Sequence, residues 1–248
     1  MQKKQLHILK IGGNIVNDAE LLAAELKAFS GLQGRKILVH GGGKKASAVC
    51  SSMGIVPKMV AGRRITDAPT LEVVTMVYAG LINKKIVAQL QALNCDAIGL
   101  SGADGNCIQA KKRSVTTIDY GFAGDIISIN KNLVNSLLAQ NIGLVFCSIT
   151  HNQNGQLLNT NADTIATQLA IALADVYEVH LQFQFGQKGV LEDVHNEQSY
   201  LPQLSKSQYV HLKKAGIIFQ GMIPKLDNAF EAKQAGVQQI RIAATEIV

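Results

Sequence analysis

The sequence predicts an α/β protein in which helices cover both faces of a mainly parallel central sheet. Strand-like and helix-like stretches alternate from the start of the chain, and glycines directly follow the first two strands. Of the 248 residues, 47% are hydrophobic but only 5% are aromatic, so the core is mostly aliphatic. Aliphatic side chains typically fill parallel strands that are buried on both faces.

The first four predicted elements alternate between strand and helix. "LHILKIGG" at 6–13 has the pattern of a buried strand that ends in a glycine turn, and Asn17 with Glu20 predicts a capping box for the next helix. "KILVH" at 36–40 predicts a second strand, and 44–53 predicts a helix. Consecutive strands joined by helices are typical of a parallel sheet.

The remaining pattern continues this alternation and gives no repeat and no Pro- or Ser-rich linker. It predicts a hairpin at 59–66, a long helix over 67–93, a strand at 95–102, an antiparallel flap at 106–130, a helix at 131–141 and a strand at 143–150. It then predicts a turn at 151–156, helices at 159–173, 205–215 and 221–235, strands at 176–183 and 238–243, and an irregular segment at 184–204. We therefore expect a single domain, 1–248, with lobes of about 1–150 and 151–248 on one continuous sheet.

Charge and cysteine content exclude several function classes. The net charge is +6, but the basic residues are scattered and the longest basic run, 111–113, is typical of a solvated turn, so we expect no nucleic-acid partner. None of the four cysteines forms a CxxC pair, and no metal site is predicted. Neither a signal peptide nor a membrane-spanning run is visible, so the expected location is the cytoplasm.

Two glycine turns are candidate anion sites. Gly12-Gly13 and Gly41-Gly42-Gly43 follow strands at the sheet edge where open parallel sheets bind ligands. Their backbone N–H groups and the helices that follow suit phosphate or carboxylate oxygens. Glycine is also the usual residue of tight turns, and no Walker A loop is present, so each turn alone is weak evidence.

Several charged residues stand where an ordinary fold does not favour them. Lys10 lies inside an apolar strand, where its charge needs either solvent or an anion. Lys225 opposes the dipole in the first turn of a predicted helix. Asp163 is favoured by the dipole at its own helix start, and Asn159 beside it offers a donor and an acceptor. Arg64 in a glycine-flanked hairpin is suited to clamp a carboxylate, or it is simply solvated.

Together these segments resemble the amino-acid kinase family. The matching motifs follow the family's order over nearly the whole chain: "KIGG" (10–13), "VHGGG" (39–43), "GRRIT" (62–66), "NTNADTIA" (159–166) and "GMIPKL" (221–226). The resemblance implies a three-layer αβα fold. It also implies ATP-dependent phosphorylation of the γ-carboxylate of N-acetyl-L-glutamate in arginine biosynthesis, with ATP and Mg²⁺ bound and a homodimer formed through the helix over 67–93.

The resemblance also implies roles for single residues. Lys10 and Lys225 would stabilise the transferring phosphoryl group, and Asp163 would orient both lysines. The amino-terminal lobe, about 1–150, would bind the acyl-amino-acid and the lobe of about 151–248 would bind ATP. The remaining matches would contact the acyl-amino-acid: Gly42 and Gly43 through their backbone, Arg64 at the α-carboxylate and Asn159 at the amide and carboxylate region.

Three features depart from the family pattern. The segment 180–193 is longer than the family's turn and lacks its aspartate before Gly189, so we hypothesise that Asp163 alone organises the lysines. Arg63 and the paired lysines at 44–45 add cations near the acceptor, which favours N-succinyl-L-glutamate as an alternative substrate. Family members that arginine inhibits have an extra helix before the first strand. No such helix is visible here, which predicts no arginine feedback through it.

Other functions remain open from the sequence. The missing aspartate favours a non-catalytic sensor on the same fold, whereas retention of Lys10, Asp163 and Lys225 favours a working enzyme. Aspartate, glutamate, carbamate or a nucleotide are other possible acceptors of this fold.

Overall fold

An eight-stranded sheet runs through both halves of the chain. A computed structural model describes residues 3–60, 62–193, 195–196, 198–218 and 221–248. Ala61 of the predicted hairpin, and Val194 and Glu197 of the predicted irregular segment, lie outside the described residues.

The strands form three sheets within the described residues. Their bounds are β1 Lys4–Ile11, β2 Arg35–His40, β3 Lys58–Val60, β4 Arg63–Ile65, β5 Ala97–Leu100, β6 Ile108–Lys112, β7 Gly124–Ile129, β8 Gly143–Phe146, β9 Ile149–His151, β10 Leu157–Asn159, β11 Tyr177–Gln184, β12 Gln203–Leu204, β13 Gln239–Ile242 and β14 Thr245–Ile247. The main sheet has the order β12-β14-β13-β11-β1-β2-β8-β5, and only β13 and β14 pair antiparallel in it. A second sheet has the order β10-β9-β6-β7, and β3 pairs with β4.

Helices cover both faces of the main sheet. Their bounds are α1 Gly13–Asn17, α2 Ala19–Gly31, α3 Gly43–Ser52, α4 Ala68–Thr75, α5 Asn83–Ala92, α6 Lys131–Ala139, α7 Ala162–Leu173, α8 Lys206–Lys214 and α9 Met222–Gln234. Apolar residues of α2 to α5 form one buried cluster with the sheet, and those of α6 to α9 form another on the opposite face. This is the three-layer α/β sandwich predicted from the sequence.

The central strand β1 shows how the sequence produces this layering. Leu6 and Ile8 belong to the cluster under α7 and α9, whereas Leu9 and Ile11 belong to the cluster under α2 and α3. Alternate residues of a strand point to opposite faces, and both faces of β1 are covered, so apolar residues on both faces of this strand are buried. Lys10 shares the face of Ile8, which is the face that α7 covers.

The predicted capping box of Asn17 with Glu20 is wrong. The helix predicted to begin with an Asn17 cap is α2, and its cap is Asp18, whose Oδ1 accepts hydrogen bonds from the amides of Glu20 and Leu21. Asn17 instead ends the short helix α1, because the chain already turns helical at Gly13.

The helix predicted over 67–93 is helical without a break from Ala68 to Ala92, but it is not a single α-helix. A π-helical segment, Met76–Ile82, separates α4 from α5. The wider turn places Tyr78 and Ile82 against Gly42, where a Cβ atom would lie 2.3 Å from the Ile82 Cδ1 atom. A π-helical segment often occurs beside a functional site, and here it packs on a candidate binding loop.

The predicted turn at 151–156 and the antiparallel flap at 106–130 belong to one structure. The turn connects β9 to β10, and β6 with β7 forms the antiparallel flap, joined to β9 through one parallel pairing. Asn159 at the end of β10 is bonded to the flap, because its backbone amide donates to the Phe122 carbonyl at 2.9 Å. The flap therefore forms one wall beside the carboxyl ends of the main strands.

Candidate functional site

A cavity of about 230 Å³ lies at the carboxyl ends of β1 and β2. Six of the seven residues predicted to form the site line this cavity: Lys10, Gly42, Gly43, Arg64, Asn159 and Asp163. Lys225 is not among the described lining residues and reaches the site through its contact with Asp163. The fold thus gathers residues from both ends of the chain at one sheet edge.

Asp163 joins the two predicted lysines into one cluster. Its Oδ1 atom lies 2.7 Å from Lys10 Nζ, and Lys225 Nζ lies 3.1 Å from both of its carboxylate oxygens. Asp163 is in the first turn of α7, where the helix dipole stabilises a carboxylate, and Asn161 caps that turn by accepting from the Thr164 amide. All three charged groups are at most 8% exposed.

Burial and charge act in opposite directions on this cluster. Burial alone would raise the pKa of Asp163, but Lys10 and Lys225 hold it well below its usual range. Burial lowers the pKa of Lys225, Asp163 raises it, and Lys10 lowers it further, leaving it below its ordinary value. The cluster holds two ammonium groups and one carboxylate, so one positive charge is left over to attract an anion.

Aromatic rings also surround Lys225. Its Nζ atom lies 5.5 Å from the centre of the Phe183 ring and 5.4 Å from the centre of the Phe185 ring. These distances are within the range of a cation–π interaction. Asp163 is the one carboxylate that ion-pairs with either lysine in the described part of the chain, but it is not the only group that contacts Lys225.

The glycine loop brings backbone close to the cavity. Gly42 precedes α3, and a side chain there would collide with Ile82 and crowd the Tyr78 ring at 3.1 Å. Gly43 begins α3, so the amides of its first turn have no partner inside the helix. Unpartnered amides at a helix start are suited to bind an anionic group.

Arg64 is a buried cation with part of its hydrogen-bonding capacity unused. Its Nη2 atom donates to the Gly43 carbonyl at 2.9 Å and to the Ser47 hydroxyl at 2.8 Å. Its Nη1 atom is buried and has no partner among the described residues. A buried guanidinium nitrogen without a partner is costly, and a bound carboxylate would satisfy it.

Further polar residues complete the cavity wall. Asn159 donates to the Thr66 hydroxyl at 3.0 Å, which ties β10 to the hairpin that carries Arg64. Arg63 is half-buried, and burial and nearby Arg113 lower its pKa. Arg113, which follows β6, binds the carboxylate of Asp125 through Nε and Nη2. This part of the cavity wall is therefore rich in arginine.

His40 links the glycine loop to α5. Its ring is fully buried, its Nδ1 atom lies 2.9 Å from the Gly41 carbonyl, and its Nε2 atom lies 3.1 Å from Asn83 Nδ2. The carbonyl can only accept, so Nδ1 carries a proton, whereas the Asn83 Nδ2 group can only donate, so Nε2 accepts and the ring is neutral. Burial lowers the pKa of His40 to about 4.

This neutral histidine predicts a loss of stability in acid. The unfolded chain takes up a proton near pH 6.5 but the folded chain does so only near 4, so stability falls as the pH drops between these values. We expect the advantage of the wild type over His40→Asn in unfolding free energy to shrink by roughly 3 kcal/mol from pH 7 to pH 4. Urea denaturation at several pH values measures this, and parallel curves for both proteins would contradict it.

Sequence reasoning missed some cavity residues and overvalued others. Tyr78, Arg113 and Ser148 line the cavity, yet they come from a helix interior, a flap and a loop with no local motif. Lys44 and Lys45 follow the glycines but are exposed and are not among the described lining residues. Only the irregular π-helical turn, which is invisible in the sequence, brings Tyr78 to the site.

The described residues hold no group of three or more His, Cys, Asp or Glu side chains that could ligate a metal ion. No helix in the described ranges is long and apolar enough to cross a membrane.

The chain is similar to known proteins over nearly its whole length. Residues 5–244 match the sequence profile of the Amino acid kinase family. The chain belongs to this family. Acetylglutamate kinase of Cytophaga hutchinsonii is 49% identical over 247 residues, covering 99% of this chain and 93% of that protein. Acetylglutamate kinase of Parabacteroides distasonis is 49% identical over 245 residues, covering 98% of this chain and 96% of that protein.

The family fold also recurs in a solved structure. A Streptococcus mutans protein superposes with a TM-score of 0.84 at 25% identity, and the match covers 98% of both chains. The amino-acid kinase fold expected from the motifs is thus confirmed.

Proposed function

We propose that this chain transfers the γ-phosphoryl group of ATP to the γ-carboxylate of N-acetyl-L-glutamate, a step of arginine biosynthesis. The observation that carries the proposal is the buried cluster of Lys10, Asp163 and Lys225 at the end of a cavity that also contains Arg64. The near full-length similarity to two acetylglutamate kinases supports the choice of acceptor.

The chemistry requires positioning more than proton transfer. A carboxylate oxygen of the acceptor attacks the γ-phosphorus, a new O–P bond forms, and the bond to the bridging oxygen of ADP breaks. The acceptor is already ionised, so no general base is needed. The obstacle is charge repulsion between two anions, and Lys10 and Lys225 would lower it by stabilising the negative oxygens of the transferring group.

Mg²⁺ would bind to this protein together with ATP. Both oxygens of Asp163 already accept from lysines, so this carboxylate is not free to ligate a metal. The ATP phosphates would therefore hold Mg²⁺, which supplies further charge neutralisation when bound. Binding of the acyl-amino-acid by the 1–150 lobe and of ATP by the 151–248 lobe belongs to the same proposal, as do a cytoplasmic location and a homodimer.

Substrate roles follow from the cavity wall. Arg64, whose Nη1 has no partner in the described part of the chain, would hold the α-carboxylate, while Asn159 and the backbone of Gly42 and Gly43 would face the rest of the acceptor. The exposed Lys44 would stay solvated.

A coupled ADP-release assay tests the function directly. We expect turnover with N-acetyl-L-glutamate and a clear preference for it over N-succinyl-L-glutamate, aspartate and unacylated glutamate. The names of the relatives disfavour both the succinyl acceptor and a non-catalytic sensor. ADP release that does not depend on an acyl-glutamate would contradict the proposal.

Arg64→Lys should weaken acceptor binding. A lysine cannot bind a carboxylate through two nitrogens, and it also loses the contacts to Gly43 and Ser47. We expect the KM for the acceptor to rise by roughly 30- to 100-fold with a smaller change in kcat, as for loss of a charge-assisted hydrogen-bond pair. Steady-state kinetics with varied acceptor measure this.

Lys45→Met is the matched control, because Lys45 is a nearby but exposed cation. It should change neither constant by more than about twofold. Equal effects of both substitutions would show that general positive charge, rather than Arg64, recruits the acceptor.

A further inference from the structure

The chain has no carboxylate in the strand end that faces Lys225. Between His180 and Lys188 the sequence is HLQFQFGQK, with neither Asp nor Glu. Phe183 and Phe185 occupy this strand end, and both rings lie within 5.5 Å of Lys225 Nζ, measured to the ring centres. The aromatic faces are thus placed where a second negative group for the lysine cluster is missing.

Phe183 and Phe185 lie at the end of β11 and approach the same lysine. Phe183 is the last residue but one of β11, and Phe185 directly follows its last residue, Gln184. Both rings face Lys225, which α9 carries. Phe183 is also directly opposite Lys10 in the pairing of β1 with β11. Phe183 is therefore the strand neighbour of Lys10, and its ring lies below the Lys225 ammonium group.

The clamp formed by Phe183 and Phe185 is fixed in place. Phe183 is fully buried, and Phe185 packs against the same apolar cluster. The amide of Gly12 donates to the Gln184 carbonyl at 2.8 Å, and a Cβ atom at Gly12 would lie 3.3 Å from Phe185 Cβ. The glycine loop after Lys10 is thus hydrogen-bonded to the end of β11 and packs against Phe185.

We propose that Phe183 and Phe185 are positioning residues that hold the Lys225 ammonium in place of a second carboxylate. The proposal rests on the function proposed above. A ring face attracts an ammonium group without neutralising it, whereas a carboxylate would cancel the one excess positive charge of the cluster and repel phosphate oxygens. The rings therefore orient Lys225 and leave its charge available to the transferring group.

Phe185→Leu tests the clamp, since the half-buried position tolerates loss of the ring. We expect kcat to fall by about tenfold with little change in the KM for the acceptor. The rings favour the charged form of Lys225, so their loss lowers its pKa and moves the alkaline limb of the kcat profile to lower pH. The charged groups that face Lys225 from the other described elements are Asp163 and Lys10. Phe185→Tyr keeps a ring face and should restore both values.

Phe230→Leu is the matched control. Lys206 Nζ lies 4.9 Å from the Phe230 ring and 5.2 Å from the Tyr209 ring, which repeats the arrangement of one lysine over two rings away from the described cavity lining. This substitution should leave kcat and the pH profile unchanged. If Phe185→Leu behaves like Phe230→Leu, the clamp is refuted.

A titration separates this proposal from the proposed function. The ¹³Cε signal of Lys225, assigned with Lys225→Met, reports its pKa without turnover, and Phe185→Leu should lower that pKa. A wild type that binds but does not phosphorylate the acceptor, with the pKa shift present, would refute the kinase function and support the clamp. An active wild type with no shift in Phe185→Leu would refute the clamp alone.

Discussion

Lys10→Met is expected to lower kcat by about 10²- to 10³-fold, the usual effect of removing a group that stabilises transition-state charge. Lys10 Nζ lies at the cavity and is held by Asp163 at 2.7 Å. Methionine preserves most of the side-chain volume but not the charge. The KM for the acceptor should change little, because the lost interaction belongs mainly to the transition state.

The same substitution should barely affect folding. Asp163 keeps its ion pair with Lys225, so no buried carboxylate is left without a partner. Rapid-quench or coupled kinetics together with thermal denaturation measure the two effects. An unfolded Lys10→Met protein would mean that Lys10 is structural.

Lys36→Met is the matched control for Lys10→Met. Lys36 is also a partly buried strand lysine, on β2, but it donates to the carbonyls of Ser30 and Leu32 at the end of α2. Its loss should reduce stability and leave kcat of the folded protein intact. A comparable loss of kcat in Lys36→Met would show that Lys10 acts only through the fold.

Asp163→Asn is expected to damage both activity and stability. Asparagine has the same shape, but the ammonium groups of Lys10 and Lys225 would then repel one another in a buried site. Breaking a buried ion pair on one side typically costs about 3–5 kcal/mol. We expect kcat to fall by at least about 100-fold, because neither lysine is then held in position.

The pH dependence of the Asp163 contribution has a definite sign. The folded-state pKa is lowered, so the carboxylate stabilises the protein fully above its unfolded pKa and loses this contribution only as the pH falls below that value. The wild-type advantage over Asp163→Asn should therefore be constant near neutral pH and shrink in acid. Equilibrium urea unfolding measures it.

Asp175→Asn provides the control for Asp163→Asn. Asp175 pairs with Lys131, but both side chains are largely exposed, so the charge is screened by solvent. The substitution should leave kcat and unfolding close to wild type. If Asp163→Asn were equally mild, Asp163 could not be the group that organises the two lysines.

Local sequence patterns predicted much of the fold. The strands and helices of the main sheet follow from apolar periodicity and from glycines at their ends, which are short-range signals. Lys10 and Lys225 are also identifiable from local sequence, because a charge in an apolar strand and a lysine in the first turn of a helix are both unfavourable. The Asn161 cap of α7 is also a local feature, because a cap depends on only a few consecutive residues.

The composition of the site required the tertiary structure. The pairing of Lys10 with Lys225 through Asp163 joins three distant segments, and no local rule specifies which charges meet. The same limit applies to Tyr78, which reaches the cavity only because a π-helical turn packs on Gly42.

The sequence by itself determined that a mainly parallel α/β sheet carries buried charges and glycine turns at one edge, because strand period, helix period and turn chemistry are local properties. Only the tertiary structure decided which groups share that edge. It exposes Lys44 to solvent, leaves Arg64 Nη1 without a partner among the described residues, and places Phe183 and Phe185 beside Lys225. These outcomes depend on strand order and register, which place residues far apart in the chain within a few ångströms.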